Sequence, residues 1–313
     1  MTVGTPQLVP TAAPTSAPQA TGTLSITFTI PLPGGAGTGA SSRAPAYISP
    51  NTRSVSFYDG KSLVYVANIN LTAKPPTVTT VYSSGNEVRD LSCQMESDGY
   101  QAVCTEVLDA TCSSHTFDMI AYPNAQTKSR SGVVSGGGII LSEGELGPYT
   151  VKKGDNGSHE IILLGVAAIA HFAPITTPYS YSDGTNTYTN VGVVGVGTYT
   201  VSAAIDDASG ATIVLPGDYD NGPVTFSETD GSKILSFAPA SYTTPPASPA
   251  PVSFSVQCVN PGVATISALA KTKPDTSYAS KLTYTSANYA SSPIGSQTFR
   301  CVADAASLPV TGQ

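Results

Sequence analysis

Residues 161–170 read Ile-Ile-Leu-Leu-Gly-Val-Ala-Ala-Ile-Ala, an apolar run broken only by Gly165, in a chain whose other apolar positions mostly alternate with Thr, Ser and Tyr. Alternation describes a strand with one face on a core and one in water, whereas a continuous run describes backbone covered on both sides. The change of pattern marks where one β unit ends and the next begins. We read 161–164 as the last strand of the first unit, 166–172 as the first strand of the second, and Gly165 as the hinge between them. At 313 residues the chain is long enough for two units that each bury a core of their own. The expected division is a tether at 1–22, domains at 23–165 and 166–306, and a tail at 307–313.

The alternation is clearest in Leu24, Ile26, Phe28 and Ile30, separated by Ser25, Thr27 and Thr29. Further strands are expected at 53–58, 63–72, 88–95, 100–107 and 116–122. In the second half they are expected at 191–205, 211–215, 223–227, 233–237, 252–258, 263–269 and 297–302. No segment keeps a helical period. Gly (29), Pro (25) and Tyr (16) are plentiful while charged residues make up only 11% of the chain, which favours strands and turns over helices. The fold class is therefore all-β, and short strands at this spacing suggest sandwiches.

Pro6, Pro10, Pro14 and Pro18 recur every four residues among Thr, Ala and Ser, a composition that buries no core and favours an extended, disordered Pro/Thr/Ala-rich tether. Fully extended it would reach ~70 Å, at ~3.1 Å per residue. Net charge is −7, and no Lys/Arg cluster is present to neutralise a phosphate backbone, so no nucleic-acid partner is expected. The apolar run is half of the roughly 20 residues that a helix needs to cross a bilayer, so no transmembrane segment is expected either. The residues after Met1 lack the charged and apolar stretches of a signal peptide. Five cysteines in charge-poor β sequence nevertheless favour an oxidising compartment, extracellular or in the cell envelope.

Cys93 and Cys104 flank Ser97-Asp98-Gly99-Tyr100, and a hairpin turning at Asp98-Gly99 sets the two cysteines directly opposite one another, within disulfide range. Cys258 and Cys301 lie on late strands of the second unit and are expected to pair as well. Cys112 is the odd residue: a competitor for Cys104, a link between chains, or a buried thiol, the last being preferred. No Cys-x-x-Cys or clustered His accompanies any of the five, so no metal site is expected.

His115, His159 and His171 are far apart, and no Gly-x-Ser-x-Gly elbow is present to pin a nucleophile, so no catalytic residue is assigned and no enzyme or cofactor is expected. Asp206, Asp207, Asp218, Asp220, Asn221, Glu228 and Asp230 carry oxygens of the kind calcium uses, but their spacing is not that of an EF-hand; we read them as turn residues. Tyr179, Tyr181, Tyr188, Tyr278, Tyr284 and Tyr289 fall in two Thr/Ser-rich stretches and read as edge-strand tyrosines, with a sugar-stacking platform as the alternative. Asn70-Leu71-Thr72 and Asn156-Gly157-Ser158 match the glycosylation sequon. Leu308-Pro309-Val310-Thr311-Gly312 matches a sortase motif without the apolar stretch and basic tail such a signal requires, and reads as coincidence in a Pro/Thr/Gly-rich tail.

Ala46-Tyr47-Ile48-Ser49-Pro50 with Thr52, Ser54 and Val55, then His115-Thr116-Phe117, Tyr122-Pro123 and Gly165-Val166-Ala167, resemble segments of uncharacterised bacterial exported, lipoprotein-type proteins with Ig-like domains. The resemblance continues at 206–213, at Pro216-Gly217-Asp218-Tyr219 and at Pro223-Val224. It implies two tandem Ig-like β-sandwich domains in a surface or secreted protein with no enzymatic activity. The function expected from it is that of a spacer or adhesion module whose partner is an unidentified protein or glycan. Two alternatives stand beside it: a carbohydrate-binding module using the Tyr-rich loops, and a hydrolase.

Overall fold

The computed structural model of the chain describes residues 20–31, 48–60, 62–84, 88–97, 99, 101–175, 177, 179–182, 184–215, 217–229, 231, 233–272 and 289–308. The four tether prolines, Tyr278, Tyr284, Asp230 and the sortase-like motif beyond Leu308 lie outside these residues. The fold is all-β; the helical content of the described residues is one 3₁₀ turn, Ala305–Ser307.

The first half contains β1 (Thr21–Pro31), β2 (Ser54–Asp59), β3 (Ser62–Asn70), β4 (Thr77–Ser83), β5 (Val88–Met95) and β6 (Gln101–Thr111). These are followed by β7 (Ser114–Tyr122), β8 (Gln126–Lys128), β9 (Val134–Gly136), β10 (Ser142–Thr150), β11 (Gly154–Glu160) and β12 (Leu164–Gly165). One sheet has the order β11-β1-β6-β5 and the other β12-β10-β7-β2-β3-β4. The alternating residues of β1 decide how they face: Leu24, Ile26, Phe28 and Ile30 are buried against Val55 and Phe57 of β2 and Phe117 and Met119 of β7. Burying a side chain of this size is worth roughly 1.5–3 kcal/mol, so a one-residue slip of β1, which would turn all four outward, is strongly excluded.

The second half contains β13 (Ile169–Phe172), β14 (Tyr181–Ser182), β15 (Thr187–Tyr188), β16 (Val191–Val193), β17 (Tyr199–Asp206) and β18 (Val224–Glu228). Then come β19 (Leu235–Ala238), β20 (Ser241–Tyr242), β21 (Val252–Cys258), β22 (Gly262–Leu269) and β23 (Gly295–Val302). Sheets β13-β17-β21-β19 and β16-β23-β22-β18-β20 enclose a second core, built on Val201, Ile205, Phe226, Phe254, Ile266 and Phe299. Phe226 and Phe254 stack with ring centroids 4.2 Å apart.

Several elements differ from the sequence expectation. The stretch 191–205 is two strands on different sheets: β16 runs parallel to β23, and Gly195 (φ 71°) and Gly197 (φ 64°) turn the chain across to β17. Of the strand expected at 161–164, residues 161–163 are instead irregular backbone, held by Ile161 N–H donating to Thr27 O, with Ile161 and Leu163 buried in the first core, and Leu164 alone is a strand residue, in β12. Residues 211–215 contribute one bridge, Asp206 with Thr212. Strands β4, β10 and β11 carry little apolar alternation; β11 is placed by parallel pairing with β1, close enough that a side chain on Gly22 would collide with the Lys152 carbonyl. β1 starts at Thr21, inside the stretch read as tether, and Leu308, read as tail, is buried beside Val191, Val193 and Val302.

One position breaks the pattern of the first core. Inward residues of β6 are Ala102, Cys104, Glu106, Leu108 and Ala110, and Glu106 is fully buried with no hydrogen-bond partner on either carboxylate oxygen among the described residues. Burial alone pushes its carboxyl well above the usual range. A carboxyl whose value is raised by folding binds its proton more tightly in the native state, so it destabilises the fold progressively as pH rises from the ordinary carboxylate range towards the raised value. Glu106→Leu is expected to raise stability by roughly 1–3 kcal/mol near neutral pH, with a smaller gain in acid. Denaturant unfolding of both proteins across a pH series measures it.

Candidate functional site

The two sheet pairs meet at a seam with its own buried cluster: Tyr58, Ile120, Tyr122 and Ile140 from the first half, Val166 from the connection, and Tyr289 from the segment before β23. Gly165, expected to be a hinge, is instead a paired strand residue opposite Ser142. Its carbonyl accepts from Asp220 N–H at 2.9 Å, and the neighbouring Ala167 exchanges backbone N–H and C=O hydrogen bonds with the Asn221 side chain at 2.9 and 2.8 Å. At the seam's edge Ser209 Oγ lies 3.2 Å from Ser49 Oγ and accepts from Asn51 Nδ2 at 3.1 Å.

At its centre the Tyr289 hydroxyl touches two carboxyls, Oε1 of Glu143 on β10 and Oδ2 of Asp220, the latter at 2.6 Å. A phenol has one proton to give. Both contacts are satisfied only when a carboxyl supplies a second proton, so the arrangement calls for one protonated acid between the two. Glu143 suits that role: burial, then the neighbouring Asp220 carboxyl, then the Asp118 charge push its carboxyl well above the ordinary range, against the Tyr289 hydrogen bond. Burial first, and then the charges of Glu143 and Asp220, push the Tyr289 phenol upward too, so it stays a neutral donor. Sequence reading placed Tyr289 among edge tyrosines and Asp220 among turn residues; nothing local in either stretch links them to Glu143, 146 residues from Tyr289.

A second polar constellation surrounds the β6–β7 hairpin. His115 Nδ1 lies 2.6 Å from Asp59 Oδ2, and its Nε2 lies 2.9 Å from Ser113 Oγ. The three residue types of a hydrolytic triad thus meet here, which the sequence did not reveal because Asp59 lies 56 residues before His115. The roles differ from a triad, however. Nε2 also lies 2.8 Å from the Thr111 carbonyl, which can only accept; a proton directed there leaves the nitrogen no lone pair for the Ser113 hydroxyl. With Nδ1 against Asp59 and Nε2 against the Thr111 carbonyl, His115 braces the hairpin to the β2–β3 turn, its ring stacked on Phe117 at 5.4 Å.

The other sequence-selected residues are dispersed. His159 bonds Asn156 O and packs on Tyr149, and His171, 3.5 Å from Asp206, is largely exposed. Among the described residues no three His, Cys, Asp or Glu side chains converge as metal ligands. Cys93 is bonded to Cys104 directly across the β5–β6 ladder, and Cys258 to Cys301 between β21 and β23. Cys112 is exposed at the hairpin end of β6, not buried. Tyr181 and Tyr188 face each other across β14–β15 with the Arg300 guanidinium 4.5 Å from each ring, so their faces are occupied. Tyr179 instead lines a shallow depression of about 590 Å³ with Val196, Thr198, Thr200 and Ser202. The Asn156 amide is held by the carbonyls of Thr23, Lys152 and Gly154, whereas Asn70 is exposed.

No protein-family model and no curated protein matches the chain.

The hairpin geometry makes a direct prediction. Ser113 is expected to stay unmodified by a serine-directed fluorophosphonate, while His115→Ala costs roughly 1–3 kcal/mol of stability by leaving the brace unmade. Mass spectrometry of the treated protein and denaturant unfolding of the variant check both; phosphonylation of Ser113 that is lost in His115→Ala would make the constellation a catalytic one.

Proposed function

We propose that this chain is a non-catalytic, extracellular or envelope-associated protein in which two Ig-like sandwiches act as a spacer or adhesion module, of the kind found in the exported bacterial proteins its sequence resembles. The observation that carries the proposal is the seam. Two sheet pairs with separate cores are held in one relative placement by a buried apolar cluster and matched hydrogen bonds, as a load-transmitting or display element requires. Two disulfides fit an oxidising compartment.

The Ig-like reading is supported most directly by the second sheet pair. Leaving aside short strands, β13-β17-β21-β19 opposite β18-β22-β23 matches the order of first, second, fifth and fourth strands against third, sixth and seventh in the constant-type sandwich. It departs from antibody domains in its disulfide, which joins the fifth and seventh strands of that order, and in having no Trp. Contacts with a partner fall to strand-end loops and the open faces beside them.

A carbohydrate-binding reading is favoured by one observation, the depression where the Tyr179 ring adjoins the hydroxyls of Thr198, Thr200 and Ser202. Glycan and protein arrays probed with the full chain separate the two. Under the spacer or adhesion reading, Tyr179→Ala leaves the array pattern unchanged; a glycan signal lost at least tenfold in that variant would replace it with sugar recognition through this surface.

A further inference from the structure

We propose that the Glu143–Tyr289–Asp220 contact is a proton-dependent clasp, closing the two sheet pairs on one another while the carboxyls share a proton and releasing them when both are ionised. The geometry carries this. The Tyr289 hydroxyl contacts both an acid on β10 and an acid on the 217–222 turn, the two acids also approach each other within hydrogen-bonding range, and one phenolic proton cannot serve two carboxylates. With Glu143 protonated, its O–H donates to the phenol oxygen and the phenol donates to Asp220, so both contacts are made. Once Glu143 loses that proton, one contact becomes oxygen facing oxygen without hydrogen, and two negative charges share a site from which Glu143 is almost wholly removed from water.

The surrounding groups strengthen the effect. From β7, Asp118 adds a third carboxyl and Tyr122 a phenol; Tyr58 of β2 is a second phenol. On the second half, Tyr219 beside Asp220 is buried and held neutral, its phenol pushed upward by desolvation. The Lys271 side chain packs against Gly222, two residues beyond Asp220, while the groups that shift the Glu143 carboxyl are Asp220, Asp118 and Tyr289. The apolar members of the seam, Ile120, Ile140 and Val166, supply attraction at every pH, so ionisation sets how often the seam opens without dissolving either core.

The sign follows from linkage. Glu143 has its ordinary affinity for a proton when the seam is open and a raised one when it is closed, so closure is favoured most in acid. It weakens as pH rises from the ordinary carboxylate range up to the raised value. Amide hydrogen exchange on the full chain reads this directly, because Val166 N–H to Leu141 O and Asp220 N–H to Gly165 O are backbone bonds of the seam. After correction for intrinsic exchange, protection of these amides is expected to fall by about tenfold per pH unit across that window, while amides of the β1–β6 ladder keep theirs.

Glu143→Gln, which cannot ionise, is expected to remove the slope at the seam with ladder protection intact. Should that variant lose ladder protection, Asp220→Asn carries the same test, since it leaves one carboxyl that an un-ionised Tyr289 can satisfy, and the slope is again expected to shrink. Seam protection independent of pH in the unaltered chain, the same slope in the folded variant, or a parallel fall in the ladder amides would each overturn the clasp.

Discussion

A connection of a few residues can hold two sheet pairs in a fixed relation only if it leaves none of its own backbone polar groups unpaired as it passes between them, and this condition is met around Gly165. Its carbonyl is taken by Asp220, the Val166 amide by Leu141, and both backbone groups of Ala167 by Asn221. A buried orphan N–H or C=O costs roughly 1–3 kcal/mol, so a hydrogen-bonded seam is a defined structure, whereas an unbonded one would be a flexible joint. The apolar run 161–170 then follows naturally. Ile161 and Leu163 belong to the first core, Val166 to the seam and Ala167 and Ala170 to the second core, so most of the run has a buried place, Ile162 being its exposed member.

The same seam concentrates the chemistry. Glu143 is buried on β10, and Tyr289 and Asp220 arrive from the other half with the complementary groups. The hydroxyl between two acids gives the junction specificity through geometry, and an ionisation cost that apolar packing alone would not have. The His115 brace works differently: an imidazole set between the Asp59 carboxyl and the Thr111 carbonyl ties a hairpin tip to a distant turn at the periphery of the first sheet pair.

What could be read from the sequence was what short-range periodicity and turn chemistry determine. The face of β1 was legible from four alternating residues, and the Cys93–Cys104 bond from the position of Asp98-Gly99 midway between the cysteines. Strands defined by their neighbours were not: β11, Gly-Asp-Asn-Gly-Ser-His-Glu, has no apolar face and exists through backbone pairing with β1, where Thr27 Oγ1 also donates to the His159 carbonyl 132 residues along the chain. β16 and β17 ran together because their apolar residues are continuous in pattern, and only the two left-handed glycines separate them. Glu106 was visible in principle, since alternation along β6 places a carboxylate on the apolar face. The Glu143–Tyr289–Asp220 contact was not, because it joins three segments whose proximity is set by the seam itself.

The central claim is that two separately cored sheet pairs are locked in a single arrangement by that seam. Cys112 is an exposed thiol on the first pair and Thr200 an exposed position on the second. Pulsed electron-resonance distances between spin labels on Cys112 and on Thr200→Cys test the claim most directly. At mildly acidic pH the account predicts one narrow distance distribution that Tyr289→Phe broadens; a broad distribution in the unaltered chain, with both cores intact by hydrogen exchange, would contradict it.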